Sequence, residues 1–206
     1  MLKRTLAFLI FLSLFLSAPL FAQEQKKDVV VITVNGVINP ASAEYIGKSI
    51  KRANEQKHEA VVIELDTPGG LDTSMRDIVK NIIGSEVPVI VYVSPSGARA
   101  ASAGVFITLA AHVAAMSPGT NIGAAHPVGV GGKMDKTMAE KVTNDAAAYI
   151  KSLAERTGRN SKWAEDAVRK SVSATETEAL KEKIIDIVSK DLSTLLSTID
   201  GRKVKT

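Results

Sequence analysis

One serine stands among side chains too small to bury its hydroxyl group. Residues 94–104 read Ser-Pro-Ser-Gly-Ala-Arg-Ala-Ala-Ser-Ala-Gly, and Ser102 is the candidate nucleophile in this segment. Upstream, residues 61–70 read Val-Val-Ile-Glu-Leu-Asp-Thr-Pro-Gly-Gly, which predicts a buried strand that ends in a Pro-Gly-Gly turn. Such a turn leaves backbone N–H groups free to point at a reacting oxygen atom. The two segments together predict acyl-transfer chemistry.

A serine hydroxyl is a good nucleophile at neutral pH only when one group accepts its proton and another stabilises the oxyanion. We expect Ser102 in the first turn of a buried helix, where the helix dipole lies beneath it and the N–H of Ala103 points outward. Gly69, at the Pro-Gly-Gly turn, would supply the second oxyanion donor. The alternative interpretation is structural, with Ser102 capping a helix whose packing needs small side chains.

Two residues are candidates for the general base. Lys141 lies between Met138 and Val142 at helical spacing, on the margin of an apolar face, where removal from water would favour the neutral amine that accepts a proton. A solvated helix lysine is the alternative interpretation of Lys141. His126, followed by a proline in a predicted loop, is the other candidate base, and it could equally be an ordinary loop histidine.

Four motifs in this chain resemble the protease domain of the NfeD family, the membrane serine proteases encoded beside stomatins. They are Asp-Thr-Pro-Gly-Gly at 66–70, Ala-Ala-Ser-Ala-Gly at 100–104, Pro-Gly-Thr-Asn-Ile-Gly-Ala-Ala-His-Pro at 118–127, and Lys-Val-Thr-Asn at 141–144. The motifs occur in the family's order, and the resemblance covers nearly everything after the N-terminal segment. That protease domain belongs to the ClpP/crotonase superfamily.

The resemblance implies a serine endopeptidase with a Ser102/Lys141 dyad, because the family's basic lysine precedes an apolar residue, Thr and Asn. Classical ClpP peptidases carry their triad histidine at a distance beyond the serine comparable to that of His126, so His126 stays the alternative base and Asp186 its candidate orienting acid. The implied substrates are apolar segments of membrane partners such as stomatin, bound as an added strand. No cofactor is implied.

Two other function classes remain open. A crotonase-like acyl-CoA enzyme would share the backbone oxyanion hole, but the sequence near Gly69 and Ser102 shows neither CoA-binding features nor acidic catalysts. A catalytically silent scaffold that binds a membrane protein is the second alternative. For any of these functions we expect a homodimer or a higher homo-oligomer.

The composition of the chain argues against several kinds of functional site. The chain has 206 residues, no cysteine, three histidines without metal-ligand spacing, and a net charge of +4. A thiol nucleophile is excluded, and a zinc site is disfavoured. One Trp, three Tyr and five Phe without a dense basic stripe argue against nucleic-acid binding. The length suits one α/β domain.

The N-terminus reads as a targeting segment. A basic Met-Leu-Lys-Arg start, an apolar run over 6–21 and a Leu-Phe-Ala site at 20–22 predict that residues 1–22 are a signal peptide or an N-terminal anchor. The protease domain would then occupy 23–206, exported across or anchored to the membrane on its extracytoplasmic side. Longer family members continue past the position of Asp200 into membrane helices, so this chain is either a short member or part of a longer protein.

Alternating strand and helix patterns must position these residues. They predict an α/β fold of the ClpP/crotonase type, with a mostly parallel sheet, ββα and βαβ units and flanking helices. Strands are expected at 29–34, 60–65, 87–93, 113–116 and 184–188, and helices at 39–57, 75–83, 102–111, 136–156, 163–172, 175–180 and 192–199. Ser173 is expected to cap the helix at 175–180. Residues 129–133, rich in glycine, are expected to form a mobile loop over the site.

Overall fold

The structure is a computed structural model that describes residues 28–129 and 135–206. The predicted leader, residues 1–22, lies outside the described residues, as does most of the predicted mobile loop at 129–133. Within the described ranges, no helix is both long enough and apolar enough to cross a membrane.

Strands and helices alternate along most of the chain. In chain order they are β1 (Val29–Asn35), α1 (Pro40–Gln56), β2 (Ala60–Asp66), α2 (Asp72–Ile83), β3 (Val89–Val93), β4 (Arg99–Ala101), α3 (Ala103–Ala110), β5 (Val113–Met116), β6 (Asn121–Gly123), α4 (Lys136–Thr157), α5 (Ser161–Arg169), β7 (Ser173–Thr175), α6 (Glu176–Lys181), β8 (Ile187–Val188) and α7 (Leu192–Ile199).

The main sheet is parallel throughout, with strand order β1-β2-β3-β5-β8. Its central strands are apolar on both faces, and every residue of β3 is buried. This is typical of a parallel sheet covered on both sides, because each crossover lays a helix on one face. The predicted parallel α/β fold is confirmed.

The two faces of the sheet are covered unequally. Helices α1 to α5 enclose the larger core on one face, and α3 is so central to it that all eight of its residues are buried. The other face has a smaller core of Ala60, Val62, Ile90, Tyr92, Val113, Ala115 and Leu195, which α7 covers. The prediction of a buried helix beginning at the serine is confirmed.

Local capping signals set the ends of several helices. Asn39 caps α1 through a reciprocal pair of hydrogen bonds with Ser42, with Pro40 in the first turn. Asn160 accepts from the N–H of Trp163 and so begins α5 two residues before the predicted start. The last parallel strand is shorter than predicted and begins at Ile187, because the N–H groups of Ile184 and Ile185 donate to the carbonyl of Ala179 in α6 instead of to β5.

A second, three-stranded sheet was missed from the sequence. It has the order β4-β6-β7, with β4 and β6 parallel and β6 and β7 antiparallel. The prediction that Ser173 caps a helix is wrong, since Ser173 pairs with Gly123 in this sheet. Thr175 is the cap of α6 instead, and it exchanges hydrogen bonds with Glu178. The small sheet matters because β4 leads directly into Ser102.

Candidate active site

Ser102 joins β4 to α3 in a backbone conformation that serine rarely adopts. Its φ is 51° and its ψ is −111°, and its N–H donates to the carbonyl of Gly123 at 3.0 Å. A non-glycine residue with positive φ is strained, and such strain gathers at functional sites. Ser102 occupies the N-cap position, yet its hydroxyl makes no capping hydrogen bond. The Ser102 side chain therefore lies at the start of α3, but it does not stabilise the helix as a capping residue.

One predicted oxyanion donor is free and the other is engaged. The N–H of Ala103 is the first of α3, so the helix itself provides no acceptor for it. The N–H of Gly69, by contrast, donates to Thr67 Oγ1 at 3.1 Å, and Gly69 is buried. The next residue, Gly70, is exposed and lines the cavity at Ser102. Among the described residues no hydrogen bond occupies the Gly70 N–H, so Gly70 joins Gly69 as a candidate donor, and the prediction of Gly69 stays a prediction.

Thr67 is a buried residue that sequence reasoning missed. Its hydroxyl contacts both the N–H and the carbonyl of Gly69, at 3.1 and 3.2 Å. Its methyl group fills the space in front of Gly104, where an added Cβ would lie 2.7 Å from it. Its own N–H and carbonyl bond the backbone of Arg99 and Ala101. Thr67 thus fastens the glycine turn to β4 and α3, which flank the serine.

Ser102 and Lys141 line the same cavity, although 39 positions separate them in sequence. The cavity has a volume of about 490 Å³ and opens between α2, α3 and α4. Lys141 lies in the second turn of α4 and is exposed. Within residues 28–129 and 135–206, it takes part in none of the ion pairs. A neutral amine at this position would face the serine across the cleft.

The alternative base does not share the cavity. His126 is exposed, and its Nδ1 lies 2.9 Å from the carbonyl oxygen of Val168, which anchors the ring on the end of α5. Its neighbours Ala125 and Pro127 line the cavity instead. Asp186, the candidate orienting acid, lies elsewhere and pairs with Arg159 at 2.6 Å.

One wall of the cavity is apolar. Met75, Phe106, Val142 and Ala146 form this wall, and the exposed side chains of Leu71 and Val128 lie at its edge. A wall of this kind favours an apolar side chain of a bound peptide, since burying it removes nonpolar surface from water. No group of residues suited to hold a metal ion occurs in the described part of the chain.

Charge at the cavity is concentrated on three side chains besides Lys141, namely Asp72, Arg76 and Asp145. Arg76 pairs with both carboxylates, and its guanidinium lies 4.4 Å from the centre of the Tyr149 ring. Partial burial alone would lower the pKa of Arg76, but the bonds and charges of Asp72 and Asp145 raise it overall. Burial also raises the pKa of Tyr149, against the opposing charge of Arg76. Arg76 therefore remains positively charged at every pH at which a folded protein is ordinarily assayed.

The sequence matches the family model described as NfeD1b, N-terminal domain, over residues 28–195. It is 43% identical over 195 residues to the membrane-bound protease PH1510 of Pyrococcus horikoshii, covering 93% of this chain and 43% of that protein. The membrane protein NfeD1b of Bacillus subtilis is 31% identical over 179 residues, covering 86% of this chain and 39% of that protein. The chain therefore spans less than half the length of either relative.

Solved structures agree with the fold. A serine-to-alanine variant of the 1510-N membrane-bound stomatin-specific protease matches with a TM-score of 0.80 at 41% identity, covering 87% of each chain. A lysine-to-alanine variant of that protease, in complex with a substrate peptide, matches with a TM-score of 0.81 at 41% identity, covering 87% of this chain and 83% of that one. ClpP1 from Listeria monocytogenes shares the fold at 21% identity, with a TM-score of 0.65 over 80% of this chain and 94% of that one. Since the family model covers most of its length, this chain belongs to the NfeD family and carries the N-terminal domain of the NfeD1b type.

Proposed function

We propose that this domain is a serine endopeptidase in which Ser102 is the nucleophile and Lys141 the general base. The observation that carries the proposal is the strained, uncapped Ser102 in one cavity with Lys141. Two of the matched structures point the same way, because they are variants of a protease in which a serine or a lysine is replaced by alanine.

The geometry supports a two-step acyl transfer. The neutral Lys141 amine takes the proton from Ser102 Oγ as that oxygen bonds to the carbonyl carbon of the peptide. The negative charge that develops on the carbonyl oxygen is stabilised by the N–H groups of Ala103 and Gly70. The Lys141 ammonium then gives its proton to the leaving amine, and the peptide C–N bond breaks. Water, deprotonated by the same amine, hydrolyses the acyl-enzyme and returns Ser102 to its starting state.

The substrates we propose are apolar segments of membrane-associated proteins such as stomatin. The apolar wall formed by Met75, Phe106 and Val142 supports this, as does the name of the 1510-N relative, a stomatin-specific protease. The domain would act on the extracytoplasmic side, attached or exported through residues 1–22, and as a homodimer or higher homo-oligomer.

The assignment is tested by covalent labelling together with peptide hydrolysis. The protein is incubated with a fluorophosphonate probe and with peptides that have an apolar core, and Ser102→Ala, Lys141→Ala and His126→Ala are compared with wild type. We expect the first two variants to lose several orders of magnitude in kcat/KM and the third to change little. Lys136→Ala is the matched control, because Lys136 is exposed on the same helix but does not line the cavity.

The outcomes separate the alternatives. An inactive His126→Ala beside an active Lys141→Ala would replace the dyad by a Ser-His mechanism. Absence of labelling at Ser102 in wild type would favour the silent scaffold, and hydrolysis of an acyl-CoA thioester in preference to peptides would favour the crotonase-like alternative.

A further inference from the structure

A carboxylate stands one helical turn beyond the proposed base. Asp145 follows Lys141 by four positions in α4, and both side chains line the cavity. Residues four apart on a helix are neighbours on one face, and opposite charges at that spacing attract each other. An unpaired carboxylate here would hold Lys141 as an ammonium ion, which cannot accept the serine proton.

Arg76, on α2 at the opposite side of the cleft, forms an ion pair with the Asp145 carboxylate. Its Nη2 donates to Asp145 Oδ2, and its Nε donates to Asp72 Oδ2 at 2.9 Å. Its guanidinium also lies over the ring of Tyr149, which stacks on Phe106 of the helix that begins at Ser102. Arg76 is therefore fixed by α2, on which it lies, and by two residues of α4.

Stability alone is a weak reason for this arrangement. The side chains of Asp72 and Asp145 are 62% and 68% exposed, and ion pairs between exposed groups add little to the free energy of unfolding. The position of the pair is more informative. Arg76 and its two carboxylates link the helix after the glycine turn with the helix that carries Lys141. Within residues 28–129 and 135–206, they are the charged groups that line the cavity with that lysine.

We infer that Arg76 is a positioning residue for the catalytic base: it holds Asp145 away from Lys141 and so keeps the lysine able to accept a proton. The inference deepens the proposed function and rests on it. Among the described residues, the charged groups that line the cavity with Lys141 are Asp145 on its own helix and Asp72 and Arg76 on α2, whereas α3 contributes no charged side chain. His126, on the neighbouring segment, is turned to Val168.

The inference predicts shifts of opposite sign for the two partners. Arg76→Gln leaves the Asp145 carboxylate free to pair with Lys141, so the alkaline rise of kcat/KM should move up by roughly 0.3 pH unit, as for an exposed pair at this helical spacing. Asp145→Asn removes that carboxylate and leaves the Arg76 cation, so the rise should move toward lower pH. The double variant has neither charge and should return close to the wild-type profile.

A matched control separates the two carboxylates that Arg76 holds. Arg76→Gln/Asp72→Asn removes the carboxylate on α2 but leaves Asp145 free, so it should keep the upward shift. Arg76→Lys retains the cation and should keep most of the wild-type profile. A purely structural role for Arg76 would lower kcat/KM by the same factor at every pH, and thermal unfolding of each variant shows whether the fold is intact.

An NMR titration of Lys141 tests the inference without relying on enzymatic turnover. The purified protein is labelled with ¹³C at lysine Cε, the Lys141 resonance is assigned with Lys141→Ala, and its titration is followed in wild type and in each Arg76 variant. We expect the Lys141 transition to move up in Arg76→Gln and back in Arg76→Gln/Asp145→Asn. An unchanged transition in Arg76→Gln would overturn the inference, even in a protein whose Ser102-dependent hydrolysis is normal. If hydrolysis is absent but the transition moves as expected, the proposed function fails and the pairing stands.

Discussion

Gly69 lies against Ser102 so closely that no larger residue fits. A Cβ atom built on Gly69 would lie 2.6 Å from the Cβ of Ser102 and 3.1 Å from its Oγ. Gly69 also has a φ of +116°, which side-chain-bearing residues rarely adopt. The turn and the serine are therefore packed as a unit, and Gly69 contributes space to the site.

This contact predicts that Gly69→Ala displaces Ser102. We expect kcat/KM for peptide hydrolysis to fall by about 100-fold or more, since small displacements of reacting groups are costly. Gly36→Ala is the matched control: Gly36 has a nearly equal φ of +119° but nothing within 4 Å of an added Cβ. Both variants should lose about 1–3 kcal/mol of stability through backbone strain, but only Gly69→Ala should lose activity. Equal activity of the two variants would contradict the contact.

The positive φ of Ser102 predicts a gain in stability when the serine is replaced by glycine. Ser102→Ala keeps the strained backbone, so it should be inactive with an unchanged melting temperature. Ser102→Gly should also be inactive but more stable by roughly 1 kcal/mol, because relief of strain exceeds the entropy cost of glycine. Urea denaturation of the two variants measures the difference, and a less stable Ser102→Gly would show that the backbone at 102 is relaxed.

Arg159 is predicted to be the most sensitive charged residue outside the site. Its side chain is 3% exposed, and it donates to the carbonyl oxygens of Leu109 and Ala111, at 2.9 and 2.8 Å, and to the carboxylate of Asp186. Arg159→Ala should cost about 3–5 kcal/mol, because it leaves the partly buried Asp186 carboxylate without its cation and removes a donor from two carbonyl oxygens.

Arg169→Ala serves as the comparison for Arg159→Ala. Arg169 also pairs with an acid, Glu165, but its side chain is 40% exposed, so its loss should stay below about 1 kcal/mol. Chemical denaturation measures both variants. Similar losses for the two would mean that the network around Arg159 is not a structural anchor.

His112 predicts a loss of stability in mild acid. Burial lowers the pKa of His112, and the charges of Arg156 and Arg159 lower it further. In the unfolded chain a histidine titrates near about 6.5. As the pH falls below that value, the unfolded state takes up a proton before the native state does, so the free energy of unfolding decreases. The stabilisation from neutral His112 is fully present above the pKa of histidine in the unfolded chain. It is lost as the pH falls toward the lower pKa of His112 in the native protein.

The test of this pH dependence uses an isosteric replacement. The His112 Nδ1 accepts from the N–H of Val89 at 3.0 Å, and an asparagine Oδ1 can take that place. His112→Asn should therefore flatten the decline of stability as the pH falls below about 6.5. Denaturation curves collected from neutral to acidic pH measure this decline. If the free energy of unfolding of His112→Asn falls with pH as steeply as that of wild type, groups other than His112 cause the loss.

The sequence by itself determined the order of the main elements and singled out Ser102 as the proposed nucleophile. Buried parallel strands and amphipathic helices leave periodic patterns within a few residues, so they can be read locally. The run of small residues at 100–104 marked the helix that begins at Ser102, and the lysine motif at 141–144 marked the proposed base. These are properties of short segments.

Only the tertiary structure decided what depends on contacts between distant segments. The strands β4, β6 and β7 have three residues each, too few for a pattern, and they exist because they pair with one another. The hydroxyl of Thr67 engages the Gly69 N–H and leaves that of Gly70 available, which no spacing predicts. Arg76 and Asp145 meet across 69 positions of sequence. Such pairings follow from how the chain packs, because a side chain's partner is set by the approach of whole elements rather than by its neighbours in sequence.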